Sequence, residues 1–445
     1  MLIAVTQPGV RAFLARVVRS ALAAVDPAEA LRRSVHRRGS RLRIDGRWYD
    51  LRGYRRIVAI GAGKASARMA VALEEILGPA LSDGLVVVKY GHGAATRLIR
   101  VVEAGHPVPD EAGEQAAEAT VRLLQGLGRR DLVFVLLSGG ASSLWPSPAS
   151  GVRLRDKQRA TQLLLRSGAT IQEMNVVRKH LSAMKGGRLA AATSAQVVSL
   201  ILSDVIGDDL GSIGSGPTAP DPSSFHDAAA ILRRYRLWPR VSSRVRQRVL
   251  RGTQGSEPET PKPGSALFRR VHNVIIGNNR LFLEAAAREA KQAGFEPVVL
   301  TTSLTGEARE AAKWFGAMAR EIVTHGRPVS RPACLLAGGE LTVTVQGDGL
   351  GGRAQEFALA AAQQIQGLPG ICVAALGSDG NDGPTDAAGG VVDSKTVARA
   401  AARGVDAGAS LQANDAYRFF KAVGGHITTG PTGTNVNDLY LLIAL

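Results

Sequence analysis

The chain has 445 residues, too many for one ordinary hydrophobic core, so two domains are expected. An apolar content of 45% excludes extensive disorder, and no run approaches the ~18 apolar residues that a membrane helix requires. The net charge of +17 invites a nucleic-acid reading, but its arginines are spread over most expected helices and aromatics are only 4%, so a basic surface attracting small polyanions such as nucleotides is expected instead.

The N-terminus, MLIAVTQPGVRAFLAR, has no basic segment before its short apolar patch, which argues against a secretory signal and for a cytoplasmic protein. Residues 10–38 read as helical, with a candidate start near Asp26-Pro27. From Ile57 onward strand, loop and helix alternate, the βαβ pattern of a doubly wound parallel sheet. Four apolar runs end in glycine-rich turns: RRIVAIGAGKAS, DLVFVLLSGGASS, ACLLAGGELT and ICVAALGSDGNDG. Each is short and unbroken, as expected of a strand buried on both faces. Ligands of open α/β sheets lie beyond the strand carboxyl ends, so the four loops are candidate walls of one site. The segment 251–266, RGTQGSEPETPKPGSA, is the expected linker between a domain over 1–250 and one over 267–445. Cys334 and Cys372 fall inside expected strands and read as core hydrophobes in a reducing compartment.

Chemistry concentrates in these turns. In GAGKAS, Gly61, Gly63 and Ser66 surround Lys64, and the loop fits neither G-x-G-x-x-G nor the P-loop spacing. A lysine there suits an oxyanion or a transferring phosphoryl group, while an ordinary tight turn stays open as the alternative. In LSGGASSL, Ser138, Gly139, Gly140 and Ser142 offer a phosphate or carboxylate cradle, and the absence of G-x-S-x-G disfavours a hydrolase elbow. MNVVRKHLSAMKGGRLA reads as one helix burying Val177, Leu181 and Met184, with the candidate phosphate or substrate cations Arg178 and Lys185 on an adjacent face that could equally be solvated. Asp204 ends the run VVSLIL and opens a glycine-rich loop, where an acid commonly holds a metal or a substrate hydroxyl. Arg353 opens a helix and can clamp an anion bidentately. GSDGNDGPTDAAGG holds Asp379, Asp382 and Asp386 at a spacing that fails the EF-hand pattern but suits Mg²⁺, with a plain surface turn as the alternative. Thr432 and Asn435 lie in a loop dense in hydroxyls and amides, as expected for a polar ligand. No two of the eight histidines have metal-ligand spacing, so His106 and His426 are expected in ordinary hydrogen bonds.

The segments GAGKAS, AGHPVPDEAG, LSGGASSL, NVVRKHLSAMKGGRLA, SDVIGDDLGSIGSGPT, GGELTVTV, GGRAQEFALA, GSDGNDGPTDAAGG and TTGPTGTNVNDL occur in this order. Over residues 10–445 the chain thereby resembles the glycerate 2-kinases of the MOFRL-domain type, a family sometimes named hydroxypyruvate reductase; its departures are conservative, such as Gly425-His426-Ile427. The resemblance implies an α/β fold, with a larger Rossmann-like, mostly parallel N-terminal domain, a smaller C-terminal domain and the active site in the interdomain cleft. It also implies ATP-dependent, Mg²⁺-assisted phosphorylation of D-glycerate at its 2-hydroxyl, with Lys64 and Arg353 catalytic. The implied partners are D-glycerate and ATP, with no nucleic acid and no membrane, and a homo-oligomer is compatible with the sequence. An NAD(P)H-dependent hydroxypyruvate reductase is the runner-up. It is disfavoured because no intact G-x-G-x-x-G is present and only Glu74 and Glu75 lie near the place of a ribose-binding acid. A polyanion-binding protein is the non-enzymatic alternative.

Overall fold

Apolar runs such as Arg56–Ala62 and Asp131–Leu137 have no polar side to leave in water, and each becomes a central strand covered on both faces. They are parallel neighbours in a six-stranded sheet, ordered Val271–Gly277, Gln196–Leu202, Asp131–Leu137, Arg56–Ala62, Asp83–Lys89 and Arg100–Ala104. Met69 and Leu73 of the helix Ser66–Leu77 pack on one face with Phe134 and Leu136. Ala117 and Leu124 of the helix Glu111–Gln125 pack on the other with Val133 and Val135, giving the expected doubly wound arrangement. Asp110 starts that second helix, its Oδ1 accepting from Gly113 N at 3.0 Å. A small antiparallel sheet, Val35–Arg38, Arg41–Ile44 and Arg47–Asp50, adds Leu42 and Ile44 to the first face. Four helices, Leu154–Arg166, Ile171–His180, Phe225–Arg234 and Ser243–Thr253, enclose an apolar cluster of their own around Leu164, Val177, Leu232 and Val249.

In this computed structural model, which describes residues 1–3 and 8–445, these elements form one unit, Pro27–Ile276; a second joins Met1–Asp26 to Gly277–Leu445. Residues 4–7 of the N-terminal apolar patch lie outside the described residues. The second unit is built on a seven-stranded mixed sheet, ordered Leu2–Ile3, His426–Thr428, Gly389–Asp393, Ile371–Gly377, Asp438–Ala444, Ala333–Gly339 and Glu296–Leu304. The strand Asp438–Ala444 is antiparallel to both of its neighbours, so Ile371–Gly377 and Ala333–Gly339 run the same way and their glycine-rich ends open at one edge. Alternate residues of that strand serve two cores: Tyr440 and Leu442 join Phe357 and Phe420, while Leu439 and Leu441 join Leu14 and Val17. Cys334 and Cys372 are buried and unbridged, and burial pushes both thiols up to about 12, in keeping with core hydrophobes.

The organisation differs from the expected one in physical detail. The segment 251–266 is no boundary, because its carboxylates strap it to the four-helix cluster. Glu257 pairs with Arg248 and, at 2.9 Å, with Arg251, while Glu259 accepts from Phe225 N at 2.8 Å. The division falls after Ile276 instead, since the strand Val271–Gly277 completes the first sheet. Residues 1–26 join the C-terminal unit: Phe13 stacks on Phe295 at 4.4 Å and Arg16 pairs with Glu289 at 3.0 Å. The helical stretch expected over 10–38 is two helices, Pro8–Ala24 and Pro27–Ser34, then the strand Val35–Arg38. No helix among the described residues is long and apolar enough to cross a membrane.

Candidate active site

The four glycine-rich loops occur as two pairs, one in each unit. In Pro27–Ile276, GAGKAS and LSGGASSL follow neighbouring parallel strands and are locked together. Lys64 N donates to Gly139 O at 2.8 Å, Ala65 N to Ser138 Oγ at 3.0 Å, and Ser66 Oγ to Leu136 O at 3.0 Å. Gly63 has φ +139°, and a Cβ there would come within 2.1 Å of Ser138 Oγ, so only glycine permits the approach. Ser66 and Ser138 are thus buried, with their hydroxyls hydrogen-bonded within the protein. Gly61 lies inside its strand, where a Cβ would meet Leu136 O at 2.5 Å; its role is packing. Lys64 is left half-buried beside the Gly139-Gly140 turn. A Cβ on Gly140, whose φ is +89°, would meet the His106 ring at 2.9 Å. Burial and the charges of Lys64 and Lys89 lower His106 to about 4, so a neutral imidazole stands at this turn, a feature the sequence reading missed.

The helix Ile171–His180 ends at Leu181 and does not continue through Met184. The turn that follows brings Lys185 beside Arg178, so the expected cation pair forms through a bend in the chain and not along one helix face. Arg178 Nη2 donates to Ser142 Oγ at 2.6 Å, and Lys185 Nζ donates to Ser142 Oγ at 2.8 Å and Ser142 O at 2.7 Å. Ser215 Oγ lies 2.8 Å from the same hydroxyl and donates to Asn175 Oδ1 at 3.2 Å. A third cation, Lys157, lies in the same wall and donates to Pro146 O and, at 3.4 Å, to Ser147 O. Its sequence signal was a lysine between Leu154 and Leu164 on the buried stripe of an amphipathic helix.

Lys157 and Lys185 are only 8% and 3% exposed, and none of the three cations has an ion-pair partner among the described residues. Burial, then repulsion from Arg178, lowers Lys157 to about 7; the same causes hold Lys185 well below its ordinary range, and burial lowers Arg178. Lys179 differs, since it is paired with buried Asp221 at 3.2 Å. Uncompensated buried charge is expensive, so an anion arriving beside Lys157, Arg178 and Lys185 would be stabilised there.

In the other unit the expected anion clamp already holds the protein's own carboxylates. Arg353 Nε and Nη2 donate to Asp438 Oδ2 and Oδ1 at 2.6 and 3.1 Å, and Nη1 donates to Glu340 Oε1 at 2.6 Å. Burial opposes the guanidinium charge, but Asp438 and Glu340 outweigh it and raise the Arg353 pKa. Asp438 is 1% exposed and also accepts from Tyr440 OH at 2.8 Å. Sequence reasoning missed it, although an acid heading the apolar strand DLYLLIA was a usable signal.

Asp382, expected as a metal ligand, is instead a buried cap: its carboxylate accepts from Ala354 N at 3.0 Å and Gln355 N at 2.8 Å at the start of the helix Arg353–Gln364. Burial raises it to about 6 despite those donors. Asp386 accepts from Tyr417 OH at 2.8 Å, and Asp379 accepts from Asn381 N at 3.1 Å. Asp204 is half-buried beyond the strand Gln196–Leu202 of the first unit. Among the described residues no three His, Cys, Asp or Glu side chains gather as a metal cluster. Thr432 donates to Ser378 O at 2.6 Å and Asn435 accepts from Asn437 N at 3.3 Å, so both shape the loop before the last strand. His426 lies against Tyr417, with ring centroids 4.8 Å apart.

Comparison with known proteins agrees with this division of motifs. Residues 13–250 match the family described as a domain of unknown function, DUF4147, and residues 333–438 match the MOFRL family. The chain is 42% identical over 429 residues to a glycerate 2-kinase of Pyrococcus horikoshii, covering 96% of each. It is 44% identical over 436 residues to a putative hydroxypyruvate reductase of Agrobacterium vitis, covering 97% of this chain and 94% of the other. The crystal structure of a Thermotoga maritima glycerate kinase superposes with a TM-score of 0.88 at 40% identity, covering 99% of this chain and all of that one. With matches of that length in both sequence and structure, this chain belongs to the DUF4147 and MOFRL family, the family of the Pyrococcus and Thermotoga glycerate kinases.

Proposed function

We propose that this protein is a glycerate 2-kinase, transferring the γ-phosphoryl group of ATP to the 2-hydroxyl of D-glycerate to give 2-phosphoglycerate and ADP. The observation that carries this reading from the structure is the gathering of Arg178 and Lys185 on Ser142 with no protein carboxylate to balance them. Phosphoryl transfer asks the protein for positioning and for neutralisation of charge on the transferred group, and buried cations without counterions supply both once a phosphate arrives. Lys64, beside the Gly139-Gly140 turn, is the cation assigned to the transferring group. Arg353 fixes the charge state around Asp438, with its remaining N–H donors offered to an oxyanion. Thr432 and Asn435 are proposed to hold the loop that meets the hydroxy acid.

Mg²⁺ is the proposed metal. A hard cation that keeps most of its shell for water and phosphate oxygens needs only one or two carboxylates, and Asp379 with Asp386, or Asp204, would provide them. Bound there, it would neutralise nucleotide phosphate charge. The sequence supports a cytoplasmic location.

The contacts of two acids weigh against the reductase reading. Glu74 accepts from the backbone N–H groups of Arg97, Leu98 and Ile99 at 2.7, 2.8 and 2.6 Å, and Glu75 pairs with Arg32 at 2.5 Å. Both acids near the ribose-binding position are thus engaged elsewhere. The test is an assay of ATP, Mg²⁺ and D-glycerate coupled through enolase without phosphoglycerate mutase, run beside NADH or NADPH oxidation with hydroxypyruvate. An enolase-dependent signal is expected; cofactor oxidation without it would replace the kinase by a reductase.

A further inference from the structure

The three cations do not stand on an open surface. They line a cavity of about 200 Å³ whose other walls are mostly apolar, including Pro109, Pro146, Leu154 and Leu181, with Ser143, Gln158 and Thr161 among the polar remainder. Val108 and Leu165 stand at its wall and are 62% and 61% exposed, so the cavity's apolar side is reachable from solvent. An occupant matched to these walls would carry an anion and an apolar body. A three-carbon hydroxy acid has no such body and would leave the proline and leucine walls uncovered. The volume is below the ~300–1,000 Å³ of sites that enclose whole drug-sized ligands, and so fits part of a larger molecule.

We propose that this cavity is the nucleotide site, holding the base between the Val108-Pro109 segment and the helix Leu154–Arg166, with the phosphate chain on Lys157, Arg178 and Lys185. The chain of contacts continues in the right direction. Ser142, which both Arg178 and Lys185 reach, is next to Ser143, whose hydroxyl donates to Gly140 O at 3.0 Å, and Gly139 O is bound by Lys64 N at 2.8 Å. Phosphates entering at Lys157 would thus be led toward the Gly139-Gly140 turn and Lys64. Identification of the ligand as ATP or ADP rests on the kinase reading; the cavity's demand for an anion with an apolar body does not.

The test is titration of the intact protein with ADP, read by calorimetry without turnover, alongside the KM for D-glycerate. Leu165→Glu changes an exposed residue and leaves the core untouched; Lys157→Met removes the cation while keeping an unbranched apolar stem. Each variant should weaken ADP binding about tenfold or more, as expected for loss of one apolar or one charged contact, and leave the KM for D-glycerate within about twofold. Unchanged ADP affinity in both variants would overturn the assignment, and a raised glycerate KM with normal ADP binding would give the cavity to the hydroxy acid. A wild-type protein that binds ADP here but phosphorylates no glycerate would refute the kinase reading and keep the site.

Discussion

Removing a charge that serves the ligand should make the empty protein more stable, and Lys157→Met tests this directly. A lysine ordinarily holds its proton to about 10.5, but Lys157 holds it only to about 7 because it is buried and faces Arg178. At ~1.4 kcal/mol per tenfold change in proton affinity, the folded state carries a penalty of about 4 kcal/mol at pH 7. Methionine removes that penalty but leaves Pro146 O and Ser147 O without this donor, which costs about 1–3 kcal/mol. The net expectation is a gain of about 1–3 kcal/mol in the ligand-free protein, seen as a higher urea midpoint at pH 7 with an unchanged m-value. The pH dependence has a definite sign. The folded pKa is depressed, so the unfolded chain binds more protons between about 7 and 10.5, and wild-type stability rises with pH across that window. The variant's advantage should therefore be full at pH 6 and fade toward pH 10. A lower midpoint at every pH with normal ADP affinity would refute the reasoning and make Lys157 a structural peg for the Pro146-Ser147 segment.

Other variants probe the remaining features. Asp382 is raised from an ordinary 3.8 to about 6, so its charged form is disfavoured in the folded state and its contribution falls as pH rises from about 4 to 6. The stability difference between wild type and Asp382→Asn, measured by urea unfolding, should shift toward the variant by about 3 kcal/mol between pH 4 and 7. Arg353→Ala leaves Asp438 buried without its cation and should destabilise by about 3–5 kcal/mol, of which Asp438→Asn in the same protein should restore more than half; thermal unfolding of the single and double variants decides this. Lys64→Ala should lower kcat at least ~10²-fold while shifting unfolding by under about 1 kcal/mol, and near-normal turnover would remove Lys64 from the chemistry.

The parallel sheet of the first unit was legible because Arg56–Ala62 and Asp131–Leu137 are apolar after their first residue, a pattern with no solution except burial on both faces. The unit boundary was not, because composition marks 251–266 as flexible while Glu257 and Glu259 hold it down through partners distant in sequence. The anion site was half legible. Arg178 and Lys185 could be named, but their meeting on Ser142 depends on the helix stopping at Leu181, a local boundary that periodicity does not fix. Lys157 was hidden in a helix that reads as an ordinary amphipathic surface. For the acids the limit was different: GSDGNDGPTDAAGG advertises carboxylates, yet only the fold shows Asp382 spent on capping a helix and Asp438 as the partner of Arg353.

The central claim is the position of the transferred phosphoryl group, and a proton-coupled ³¹P NMR spectrum of the product formed from D-glycerate and Mg-ATP tests it most directly. Phosphate on the 2-hydroxyl couples to one carbon-bound proton and phosphate on the 3-hydroxyl to two. A new phosphomonoester doublet accompanied by ADP is the predicted result; a triplet would make the enzyme a 3-kinase, and no new phosphomonoester signal would contradict the kinase account.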